Sequence, residues 1–165
     1  MDERAQSPPQ GDACYVYAIA RPRGEHTLGP LPVVGIWPQA PVCASACGDL
    51  LALYSRVPLS EFAPAALESH LEDTDWTLAL VLAHQKVLSA LLDGYTLIPL
   101  RYCSLYGSES QVQAMLAQHV ETFASTLERL QGALEWGVKL YCDRRSLVES
   151  LAANSPTFQA QREQI

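Results

Sequence analysis

Apolar residues recur along this chain with three different rhythms, and each rhythm predicts an element. From Cys14 to Ala20 every position is apolar or aromatic, with Tyr15, Tyr17 and Ile19 on one face of an extended chain and Cys14, Val16 and Ala18 on the other. A strand apolar on both faces belongs at the centre of a sheet. Val42–Ala46 and Leu50–Arg56 are two further β-prone runs, and Cys47-Gly48-Asp49 between them reads as a hairpin turn. Val57-Pro58 predicts the end of the second run, because proline has no N–H to donate and restricts its predecessor.

Helical periodicity then takes over. Ala65–Leu71 reads as a short helix with Pro64 in its first turn, and Asp75–Leu92 as a longer one with Asp73 or Thr74 as cap and Gly94 past its end. Thr96–Tyr102 is the next strand, with Pro99 pointing to an edge or a bulge. Ser108 and Gln111 have capping-box spacing, and Val112, Met115, Leu116, Val120, Phe123, Leu127 and Leu130 extend one apolar stripe to Gly132. That predicts a single long helix. In 134–142, Leu134, Trp136, Val138, Leu140 and Cys142 alternate with Glu135, Gly137, Lys139 and Tyr141, the pattern of a half-buried strand, and Asp143 then caps a last helix through Leu147, Val148 and Leu151.

The order of elements is α+β: a small mixed sheet packed by helices. The expected organisation is a lead-in over 1–13, an N-terminal α+β domain over 14–107, a long bridging helix over 108–132, and the start of a second, shortened α+β domain over 133–165. Residues 21–41 hold five prolines and three glycines and read as an irregular connection.

Composition narrows the choice of partner. The 165 residues are 48% hydrophobic, enough for a substantial core, and carry 18 acidic against 11 basic groups, a net charge of −7. Between Val57 and Tyr95 six acids face Lys86 alone. Phosphate backbones are repelled by such a surface, so nucleic acid is not an expected partner. No apolar run approaches the length of a bilayer span, and the opening MDERAQSPPQGD lacks the pattern of a secretory signal, so no membrane partner and a cytoplasmic location are expected.

Little in the chain suggests catalysis. Phosphate-cradling loops, nucleophile elbows and zinc-protease motifs are missing. Cys14, Cys43, Cys47, Cys103 and Cys142 are odd in number and lie in apolar segments, which reads as reduced core thiols; Cys43 and Cys47 lack the spacing and companions of a metal site. No cofactor is expected. His26, His70, His84 and His119 stand alone in sequence, and a buried His84 would need a hydrogen-bond partner, which a nearby carboxylate or backbone carbonyl could supply. Arg101 is expected to pair with an acid of the preceding helices such as Asp75, and Trp136 to face a core.

Five segments together resemble the gas vesicle accessory proteins of the GvpL/GvpF family: YVYAIA (15–20), GDLLALYSRVPLSEF (48–62), LESHLEDTDWTLALVLAHQKVL (67–88), LIPLRYCSLYGSES (97–110) and LEWGVKLYCD (134–143). The positions carrying most of the resemblance are Trp76, His84, Pro99, Arg101, Glu135, Trp136, Gly137 and Lys139. Two departures stand out, His84-Gln85 in place of the family's His-Glu and Cys103 in place of a glycine. The second implies that position 103 does not need a positive φ.

The resemblance implies a non-enzymatic, cytoplasmic and gas-vesicle-associated protein needed to build these buoyancy shells. It would contact the small hydrophobic shell protein and other accessory proteins, and its second domain would be ferredoxin-like. Two other readings stand beside it: a small-ligand domain or enzyme with a pocket near Arg101, His84 and Trp136, and a redox or metal role for Cys43 and Cys47.

Overall fold

A computed structural model describes residues 11–24, 31, 33–38, 40–134 and 136–154. The expected lead-in up to residue 10, His26 and Glu135 lie outside them. Two compact units are present, Met1–Ala133 and Leu134–Ile165.

Five strands form the sheet of the first unit: β1 (Asp12–Pro22), β2 (Cys43–Cys47), β3 (Leu50–Pro58), β4 (Tyr95–Pro99) and β5 (Leu105–Tyr106). Their order is β2-β3-β1-β4, with β5 also on β1. The hairpin forms as its turn residues dictate: Cys47 pairs with Leu50, and Gly48 takes φ 62° at no steric cost. Three helices follow β3, namely α1 (Leu59–Phe62), α2 (Pro64–Glu72) and α3 (Thr74–Leu91). This crossover leaves β3 and β4 running the same way, but β1 lies between them and is antiparallel to both. The sheet is therefore antiparallel at every described pairing, not mixed.

β1 is buried on both faces, but not in strict alternation. The register against β3 shifts between Val16 and Ala18, so Tyr17 is an extra residue on β1. A one-residue bulge exchanges the faces beyond it. Tyr15, Tyr17 and Ala18 consequently join one core with Leu53, Phe62, Leu80 and Val87, whereas Cys14, Val16 and Ile19 join the other with Leu50, Val112, Leu116 and Leu127. Ile19 and Ala18 thus face the opposite sides from those that simple alternation assigns. Each large side chain buried here contributes about 1.5–3 kcal/mol.

The first core is roofed by α1 to α3. Asp73 Oδ1 accepts the backbone N–H groups of Asp75 and Trp76 at 2.9 and 3.3 Å and so starts α3, whose inner face is Leu80, His84, Val87, Leu88 and Leu91. The second core is covered by two helices instead of one long one: α4 (Glu109–Gln118) and α5 (Val120–Leu130), separated at His119 with φ −115° and ψ 17°. The chain turns at His119, and both helices pack on the sheet through Val112, Leu116 and Leu127.

In the second unit, α6 (Arg144–Asn154) begins as expected, with Asp143 accepting from the backbone N–H groups of Arg145 and Ser146. Those hydrogen bonds and one from the Ser146 hydroxyl lower the Asp143 pKa. The expected strand over 134–142 is not formed. Strand geometry needs a hydrogen-bonded neighbour, and none of the described residues pairs with it, so Trp136, Val138 and Leu140 are exposed instead of half-buried. Cys142 is exposed for the same reason and is not a core thiol.

Candidate functional site

The bulge in β1 determines what lies beside it. Leu100 N–H donates to the Tyr17 carbonyl at 2.9 Å, and Val16 N–H donates to the Ser104 carbonyl at 2.8 Å. The connection from β4 to β5 therefore crosses the bulge as a tight turn over Leu100–Ser104. Pro99 ends β4, so Arg101 and Tyr102 lie in this turn and not in the strand expected to reach Tyr102. Ser104 closes it, donating from N–H and Oγ to the Arg101 carbonyl at 3.2 and 2.7 Å.

Cys103 adopts φ 58°, the left-handed region. The expectation that a non-glycine residue here avoids positive φ is overturned. Crossing the bulge and returning to β5 in so few residues requires the reversed dihedral, at a cost of about 1–2 kcal/mol for a side chain bearing Cβ. The backbone of Cys103 thereby lies close enough to the Tyr15 hydroxyl to oppose the rise in its pKa that burial causes.

That hydroxyl is also 2.9 Å from Nδ1 of His84, which is 1% exposed. The partner of His84 is thus a phenol, not the anticipated carboxylate or carbonyl. Burial lowers the His84 pKa and raises those of Tyr15 and Tyr17. At neutral pH the ring is uncharged and the phenol protonated. Where the Tyr15 hydroxyl donates to Nδ1 the imidazole hydrogen is on Nε2, and where it accepts the hydrogen is on Nδ1. Tyr102 packs edge-on against the same ring at 5.1 Å.

His84, Gln85 and Leu88 of α3 and Pro99, Leu100, Arg101 and Tyr102 of the turn line an open groove of about 590 Å³. His84, Pro99 and Arg101, singled out in the sequence, come together here. Arg101 is exposed, and among the described residues no carboxylate lies within ion-pair distance of it, so the expected pairing with Asp75 does not occur. Trp76 lies nearer the start of α3. It stacks on His70 at 4.7 Å and borders a second hollow of about 280 Å³ with Trp37, Phe62, Leu80 and Ala83. Trp136, Gly137 and Lys139 are exposed in the second unit. Tyr15, Tyr102 and the backbone of Cys103 escaped the sequence reading, although a buried tyrosine hydroxyl does signal the need for a polar partner.

Cys43 and Cys47 stand on one side of β2 and pack against the second core, and all five cysteines are free. Among the described residues, no group of three or more His, Cys, Asp or Glu could hold a metal ion, and no helix is long and apolar enough to cross a membrane.

The fold defines an α+β domain with a helix layer on each side of one antiparallel sheet. Residues 13–165 match the family described as gas vesicle synthesis protein GvpL/GvpF. The chain is 38% identical over 135 residues to gas vesicle protein L of Streptomyces sp. (strain CB03234), covering 78% of this chain and 47% of that protein. It is 29% identical over 143 residues to gas vesicle protein F of the same strain, covering 86% and 54% respectively. It thus spans about half the length of the curated relatives it matches. No solved structure matches it. This chain belongs to the GvpL/GvpF family of gas vesicle proteins.

Proposed function

We propose that this protein is a non-catalytic accessory factor in gas vesicle assembly, present in the cytoplasm and at the vesicle, that binds the small hydrophobic shell protein and other accessory proteins. The observation carrying this reading is the family match over residues 13–165. One surface feature supports it. Leu71, Leu78 and Leu82 are exposed at 51%, 54% and 60% on α2 and α3, so apolar area is available for an apolar partner. Residues 133–165 are read as the opening of a second α+β domain.

A small-ligand reading retains one observation, that His84 and Arg101 share a groove. Its openness disfavours that reading, because small-molecule sites enclose most of their ligand. The motif residues Trp76, His84, Pro99, Arg101, Glu135, Trp136, Gly137 and Lys139 are read as structural or partner-binding.

The test is co-purification of the tagged protein with the shell subunit, together with deletion of its gene. Loss of vesicles on deletion, and loss of capture in Leu78→Glu/Leu82→Glu with an unchanged unfolding midpoint, is expected. Intact vesicles in the deletion strain would overturn the proposal.

A further inference from the structure

The groove beside α3 reverses the charge of its surroundings. The whole chain carries −7, and residues 57–95 hold six acids against Lys86. Among the groove's lining residues, however, there is no carboxylate, and the charged side chain is Arg101. Its guanidinium has no ionic partner among the described residues.

Next to it lies the ring of His84, which also lines the groove although the residue is 1% exposed. Its Nδ1 lies 2.9 Å from the Tyr15 hydroxyl, and in the tautomer in which that hydroxyl donates the ring hydrogen is on Nε2, for which no hydrogen-bond partner exists among the described residues. The low pKa that burial imposes keeps this ring neutral with that single hydrogen in place. Leu88, Pro99 and Leu100 supply an apolar lining. Donors without an opposing acid, set beside aliphatic surface, complement a carboxylate joined to an aliphatic stem. The open form of the groove suits a segment of protein chain better than an enclosed small molecule.

We propose that this groove binds a glutamate side chain carried among apolar residues of a partner protein, with Arg101 pairing to the carboxylate, His84 Nε2–H donating to it, and Leu88, Pro99 and Leu100 receiving its aliphatic neighbours. That the ligand is a protein segment rests on the reading of this chain as an assembly factor. The carboxylate chemistry rests on the groove alone.

The probe is the blocked peptide acetyl-Ala-Leu-Glu-Leu-Ala-amide, titrated into the full chain and followed by the ¹⁵N signals of the His84 ring and the Arg101 side chain. The glutamine counterpart should bind at least about 10-fold more weakly, the usual worth of a charge-assisted hydrogen bond. Arg101→Gln should weaken the glutamate peptide to the level of the glutamine peptide and leave the latter unchanged, whereas Arg101→Lys should retain part of the preference. Equal affinity of the two peptides, indifference to Arg101→Gln, or no binding at millimolar peptide would overturn the proposal. So would binding of hexanoate without binding of the blocked peptide. Failure here, with shell-protein capture intact, removes the groove and leaves the assembly function standing.

Discussion

The Tyr15 hydroxyl lies 2.9 Å from Nδ1 of His84, joining β1 to α3 across 69 positions of sequence. Tyr15→Phe removes the hydroxyl while leaving the imidazole nitrogen buried without its partner, and should cost about 1–3 kcal/mol in urea unfolding. Removing both partners is expected to cost less than the sum of the single changes. Tyr15→Phe/His84→Leu should therefore recover part of the loss, and strictly additive effects would contradict a hydrogen bond of this kind.

The same pair sets a pH dependence. His84 has a lowered pKa in the folded chain, so below about pH 6.5, the ordinary histidine value, the unfolded state binds a proton that the folded state refuses. Stability contributed by the neutral ring is complete above that pH and is lost as the pH falls toward the folded pKa. Urea midpoints measured from pH 7.5 to 5 should decline, and His84→Gln should flatten that decline.

Position 103 offers a test of backbone strain. Cys103→Gly relieves the left-handed dihedral of φ 58° but frees the unfolded chain and forfeits the packing of the thiol, so its net effect should stay within about 1 kcal/mol. Cys103→Val adds branching at the same dihedral and should destabilise by about 1–3 kcal/mol. Thermal unfolding of the two variants separates them.

Gly35 is tightly enclosed. A Cβ built there would lie 2.2 Å from Ser55 Oγ and 2.6 Å from the Tyr17 hydroxyl, which also accepts the Ile36 N–H at 2.9 Å. Gly35→Ala should therefore cost about 1–3 kcal/mol through forced displacement of buried groups. A Gly48→Ala control meets no neighbour and tests only its positive φ.

Local chemistry was legible along the chain, and relations between distant segments were not. Asp73 as a cap and the Gly48-Asp49 turn each depend on a few adjacent residues, and each formed as read. The bulge at Tyr17 depends on how β3 registers against β1, which the uniform apolar run cannot reveal. His119 interrupts a stripe whose periodicity continues on both sides, so that periodicity does not reveal the break. The alternation at 134–142 was read correctly as a pattern but needs a neighbour to become a strand. In the groove, His84, Pro99 and Arg101 were visible as residues, whereas their meeting required the turn crossing the bulge.

The central position of β1 has a consequence for synthesis. Its hydrogen-bonded neighbours β3, β4 and β5 all follow it in the chain, and β4 begins only at Tyr95. At roughly 5–20 residues per second, the first strand emerges from the ribosome on the order of ten seconds before its second edge can be covered. Throughout that interval the seven apolar residues from Cys14 to Ala20 lack the strand that covers their second edge.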